Sequence, residues 1–159
     1  MQFYTVAGAV ILAFCGLEGA KRLNRNMDGE IAYTEAFIAL LRYVRGQIDC
    51  YALPIGDIFS RCDRELLSTC GWQGELAPRS FDELMPHCFV SDGEAKSAIV
   101  EFVADFGKNY REEQLKRCDG CISCLERARD RLVHKARERK RLNFTICLCS
   151  SLALIILLV

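Results

Sequence analysis

The sequence predicts an all-α protein, an antiparallel helix bundle flanked by an N-terminal and a C-terminal transmembrane helix. Three observations carry this. Two apolar stretches without Asp, Glu, Lys or Arg, Phe3 to Leu17 and Phe144 to Val159, occupy the ends, and every charged side chain lies between them. Within that middle region apolar residues recur every three or four positions, the period of a helix buried on one face. No alternating strand pattern of useful length, internal repeat or low-complexity segment is present.

A backbone in lipid must satisfy its own hydrogen bonds, so each end stretch should be helical. Each falls slightly short of the roughly 20 residues that cross a bilayer core of about 30 Å. The first can lengthen to Ala20 if Glu18 sits at the interface. The last can borrow Leu142 and Asn143 while Lys140 and Arg141 snorkel. The expected division is an N-terminal span at 1–20, a helical bundle at 21–141 and a C-terminal span at 142–159. A buried-core reading of the ends is the plainer alternative, but core helices seldom lack polar residues on every face.

Lys21, Arg22 and Arg25 follow the first span, and a basic run precedes the last. The positive-inside rule then puts the middle domain in the cytoplasm. A cleaved secretory signal would carry its positive charge before the apolar stretch, where only Met1 and Gln2 stand. Leu12-Ala13-Phe14-Cys15 approximates a lipoprotein cleavage box, but Phe14 is too large for it.

The elements follow in order. Phe37, Ile38, Leu41, Val44 and Ile48 form one stripe, so a long helix, or two nearly collinear ones, runs from about Phe3 to Cys50. Leu53-Pro54 breaks it, and Pro54 suits the start of the next helix. Ile55, Ile58, Phe59, Cys62, Leu66 and Leu67 make that helix's stripe, and Gly71 is a natural residue just past its end. Trp72 to Arg79 is a loop. Ser80-Phe81-Asp82-Glu83 and Ser91-Asp92-Gly93-Glu94 read as capping boxes opening two further helices. The second should stop at Gly107. Asn109 can cap the last helix, whose stripe runs Leu115, Cys118, Ile122, Leu125, Leu132 and Ala136, with Arg129 interrupting it.

The net charge is zero, which gives no strong nucleic-acid signature. From Asp28 to Cys124 there are 17 acidic and 10 basic residues, a balance of about −7. From Leu125 to Asn143, Arg127, Arg129, Arg131, Lys135, Arg137, Arg139, Lys140 and Arg141 face only Glu126, Asp130 and Glu138. That basic segment reads as a solvated face and topology signal that also attracts anionic lipid headgroups. It lacks aromatics for stacking on bases, so nucleic acid is not an expected partner.

Cys118-x-x-Cys121-x-x-Cys124 has a spacing that iron–sulfur ligands use, but those ligands usually sit on an irregular loop with a further cysteine. Here the triplet falls on a helical stripe, and packing is the preferred reading. A membrane-tethered metal or thiol redox protein using Cys118, Cys121 and Cys124 is the alternative. Cys50, Cys62, Cys70 and Cys88 are expected to be reduced in a cytoplasmic domain. His87 and His134 are far apart, and no phosphate loop, paired-carboxylate signature or nucleophile elbow occurs. No catalytic residue, cofactor or metal is assigned. Trp72, alone in a polar loop, reads as a partial lid on the bundle, with a partner contact as the sharper alternative.

The chain resembles the stage III sporulation protein AB family over essentially its whole length. The resemblance lies in Gly8 and Gly16, Gln47-Ile48, Leu53-Pro54 and the terminal apolar anchor. Its most specific part is the family's Leu-Gly-x-Ser-Asp-Arg-x-x-Gln signature, which here runs from Phe106 to Gln114. Gly107, Arg111 and Gln114 match, Asn109 stands for Ser, and Phe106 and Tyr110 depart from it. As a joint between helices the signature makes physical sense: Gly107 ends one helix, Asn109 starts the next, and Arg111 with Gln114 ties the corner. The family is similar to the cytoplasmic domains of type II secretion F proteins, which are membrane platform subunits. The resemblance therefore implies a non-enzymatic platform in the mother-cell membrane at the forespore septum. It would help build the channel between the two compartments. It also implies a stage III sporulation protein AA-like ATPase and other channel subunits as partners, with membrane lipid around the anchors and homo-oligomerisation open. A signalling adaptor built on the same bundle is a third reading.

Overall fold

In the computed structural model the described residues form helices and turns, with no strand among them. The structure describes residues 2–51, 53–88, 90–108 and 110–158; of these, the side chains of 2–17, 20, 23–24, 26, 87, 147–148, 151–152 and 154–158 lie outside the description. The helices are α1 (Gln2–Tyr51), α2 (Ile55–Ser60), α3 (Arg64–Thr69), α4 (Gly93–Asp105) and α5 (Arg111–Leu158). Two single 3-10 turns, Phe81–Glu83 and Met85–His87, precede α4.

The chain divides into two compact units, Glu30–Arg131 and the pair of segments Met1–Gly29 and Leu132–Val159. The first of these holds the helical core. Its core takes one stripe from α1 (Tyr33, Phe37, Leu40, Leu41, Val44, Ile48) and one from α5 (Cys118, Cys121, Ile122, Leu125, Ala128). Ala95, Ile99, Phe102 and Val103 of α4 complete it. Within α1 and α5 these positions recur at helical spacing, which puts each set on one face.

Phe81, on the first 3-10 turn, is buried at the centre of an aromatic cluster. Its ring lies 5.0 Å from Phe59, 5.3 Å from Phe102 and 4.9 Å from Phe106, each edge-to-face. Such pairs add about 0.5–1.5 kcal/mol beyond area burial. A short turn with few hydrogen bonds of its own is thus held by packing to α2 and α4.

Three local structures differ from expectation. The stripe from Ile55 to Leu67 is two helices, because Asp63 accepts the Glu65 N–H at 3.0 Å and starts α3 afresh. α3 ends as expected at Gly71, whose φ is 90°. Gly71 N–H donates to Ser68 O and Trp72 N–H to Leu67 O, a Schellman motif. At the first expected capping box Ser80 makes no side-chain cap bond, and Glu83 instead accepts the Arg79 N–H at 2.9 Å. Pro86 lies in the second turn, and no α-helix forms there. At the second box the cap is Asp92, which accepts from Ala95 N–H at 3.1 Å. Ser91 turns away and donates through its N–H, at 2.8 Å, and its hydroxyl to Glu30 of α1.

In the other unit, Lys140 binds Asp28 at 2.8 Å, joining its two segments, and Lys21 pairs with Glu18 at 3.0 Å. Among the described residues no helix is long and apolar enough to cross a membrane. Most side chains of the expected spans at 1–20 and 142–159 lie outside the description. Of those described, Leu142, Phe144 and Ile146 are about 60% exposed. Successive helical residues are about 100° apart, so these three spread over more than one face of α5.

Candidate functional site

The corner between α4 and α5 brings most of the signature together. Phe106 caps the end of α4, its N–H donating to Val103 O, and Gly107 follows at φ 80°. An L side chain is strained in that left-handed region, and glycine is not. Asn109 lies outside the described residues. Gln114 is half-buried, and its N–H donates to Tyr110 O at 3.0 Å in the first turn of α5.

Arg111 reaches across to α1. Its Nε donates to Ile48 O at 3.3 Å, and its Nη2 donates to Asp49 O and, at 2.9 Å, to Asp49 Oδ1. The last four carbonyls of a helix have no partner within it and carry partial negative charge. A guanidinium is a planar fork of donors suited to that end. Arg111 therefore ties the start of α5 to the end of α1, 63 residues away at Ile48.

Pro54 stands at the N-cap of α2, with its carbonyl accepting from Asp57 N–H at 3.0 Å and Ile58 N–H at 3.1 Å. A residue before proline is pushed to extended backbone, which ends the preceding helix path. Pro54, Gly107 and Gln114 line one cleft of about 280 Å³, with Ile48, Phe81 and Phe106. The cleft was not foreseen. Its one legible trace was the run of apolar residues at the ends of the predicted helices.

The family-model comparison matches residues 5–159 to stage III sporulation protein AB. The chain belongs to the stage III sporulation protein AB family. Its role accordingly lies in the third stage of sporulation. No curated protein and no solved structure matches the chain.

In this family member the cysteine triplet is core. Cys118, Cys121 and Cys124 are all buried and free. Burial pushes the Cys118 thiol up to about 11 and the Cys121 thiol up to about 12. A thiol so shifted is neutral and unreactive near neutrality, because the thiolate is the nucleophile and metal ligand. Cys121 donates instead to Ala98 O at 3.8 Å. Among the described residues no group of three ligating side chains converges on one point.

His134 is exposed, with Nδ1 3.6 Å from Glu138. The His87 side chain lies outside the description. Trp72 is half-buried against the core, and its indole N–H donates to Leu76 O at 2.8 Å, closing the loop on itself. Gly74 sits under the ring, where a Cβ would stand 2.6 Å from Trp72 Cζ2.

The basic residues divide into two groups. Arg131 forks onto Asp92 at 3.0 and 3.1 Å and reaches Glu94 at 3.2 Å. Lys135, Arg137, Arg139 and Arg141 are exposed, with no ion pair among the described residues. Asp92, which caps α4 and faces Arg131, has its carboxyl held below the usual range. The Ala95 N–H contributes most, against the opposing pull of burial, and Arg131 adds to it.

Proposed function

We propose that the chain is a non-enzymatic membrane platform subunit of the stage III sporulation channel. In this reading the apolar ends anchor it in the mother-cell membrane at the forespore septum. The Glu30–Arg131 unit faces the cytoplasm and docks an ATPase of the stage III sporulation protein AA type. One observation carries the membrane part: Leu142 and Ile146 on one face of α5 and Phe144 on another are exposed, at the head of a terminal segment free of charge. A helix apolar all round belongs in an apolar surrounding. Lys135, Arg137, Arg139 and Arg141 suit the headgroup layer, where each cation contributes on the order of 1 kcal/mol with anionic lipid.

Family membership supports the sporulation role, and the packed, neutral thiols of Cys118 and Cys121 favour a scaffold over thiol chemistry. The test is copurification from sporulating cells of the detergent-solubilised full chain with the ATPase. Recovery of the two together, and arrest after engulfment in a deletion strain, is the expected result. Normal spore formation without the gene contradicts it.

A further inference from the structure

We propose that the cleft beside Gly107 docks a protein segment carrying an apolar side chain next to a lysine or arginine. The inference rests on the platform reading and names the face through which the platform holds a partner. Ile48, Ile55, Val103 and Phe106 supply apolar surface to the cleft, and Ser80, Asp82 and Gln114 supply polar surface beside it. At about 280 Å³ it has room for side chains of a partner.

Charge selects the occupant. Asp82 also lines the cleft, is exposed, and has no ion pair among the described residues. Most neighbouring acids are already engaged: Asp49 by Arg111, Asp105 by Arg117 and Glu83 by the Arg79 N–H. A free carboxylate beside the apolar side chains of a mixed cleft, on a region with 17 acidic and 10 basic residues from Asp28 to Cys124, favours a cationic neighbour to the apolar group.

Two exposed aromatics are close to these residues in sequence, outside the lining itself. Tyr51 lies along the chain between the lining residues Ile48 and Leu53 and is 67% exposed. Tyr110 lies between Gly107 and Gln114 and is 92% exposed. Tyrosine is a frequent anchor in protein interfaces, offering a large rigid surface and a polar tip.

The test uses the full chain in detergent with ¹³C-labelled isoleucine and valine methyls. Two synthetic peptides are titrated, acetyl-Gly-Leu-Arg-Leu-Gly-amide and the same peptide with Glu in place of Arg. The arginine peptide should shift the methyls of Ile48, Ile55 and Val103, and bind about threefold to fivefold more tightly than the glutamate peptide. Asp82→Lys should reverse that order. Equal binding of the two peptides, no shift at those methyls, or an order unchanged by Asp82→Lys overturns the proposal. ATPase copurification without peptide discrimination would remove the cleft and leave the platform standing. Peptide discrimination without the ATPase would do the reverse.

Discussion

Arg111 holds Asp49 twice, by a 2.9 Å bond to its carboxylate and by a second bond to its backbone carbonyl. One side chain thereby closes the end of α1 and fixes the start of α5. Arg111→Ala should destabilise the helical unit by about 1 kcal/mol, the usual worth of an exposed ion pair with a backbone bond added. Arg111→Lys should restore less than half of it, since a lysine offers no planar fork. Denaturant titration of the full chain in detergent reads both values. Amide exchange should quicken first at residues 48–51.

Gly107 and Gly74 separate two kinds of glycine. Gly107 has φ 80° and open space around it, so Gly107→Ala should cost about 1–2 kcal/mol through the backbone alone. Gly74 is bound by the Trp72 ring. Gly74→Ala should displace that ring from Leu76 O and shift the emission of Trp72, the one tryptophan of the chain. Gly107→Ala should leave the emission where it is. Tryptophan fluorescence alongside a stability curve distinguishes the pair.

Asp92 makes stability depend on pH in a defined direction. Its folded carboxyl titrates below the unfolded one. Its contribution is therefore complete above the ordinary carboxylate range and is lost as pH falls through the lowered folded value. Asp92→Asn should flatten the acid limb of the stability curve. Asp92→Ala should in addition cost about 1 kcal/mol at neutral pH by removing the cap of α4. Unfolding midpoints of the full chain between pH 3 and pH 7 test both. An acid limb unchanged in Asp92→Asn would contradict the assignment.

The helices themselves were legible. Phe37, Leu41, Val44 and Ile48 could be aligned on one face because burial repeats with the helical turn. Gly71 and Gly107 were readable as ends because their backbone angles are local. The break at Asp63 was hidden, since its cap competes with a stripe that continues across it. Arg111 onto Ile48 and Asp49, Arg131 onto Asp92 and Glu30 onto Ser91 were hidden for another reason: each pairing joins residues 39 to 63 apart in sequence. Such pairs are set by how packed helices register, and no local pattern encodes that. Most of the cleft is hidden for the same cause, being lined from α1, α2, α4, α5 and the loops together.

Thiol reactivity should follow burial. Cys50 is exposed, whereas Cys70, Cys118 and Cys121 are buried, with Cys70 and Cys121 pushed up to about 12. Cys50 should alkylate quickly in the folded chain, and the other three only after unfolding. Mass spectrometry of timed labelling at pH 7 reads the order. Rapid labelling of Cys118 or Cys121 would restore a thiol role to the triplet.

The proposed platform depends on anchoring of the apolar ends in a membrane. The most direct measurement is sedimentation of membranes from sporulating cells after an alkaline wash. The full chain should remain in the pellet and enter solution only with detergent, while a chain cut to residues 30–131 should stay in the supernatant. Full-length protein free in the supernatant without detergent would contradict the account.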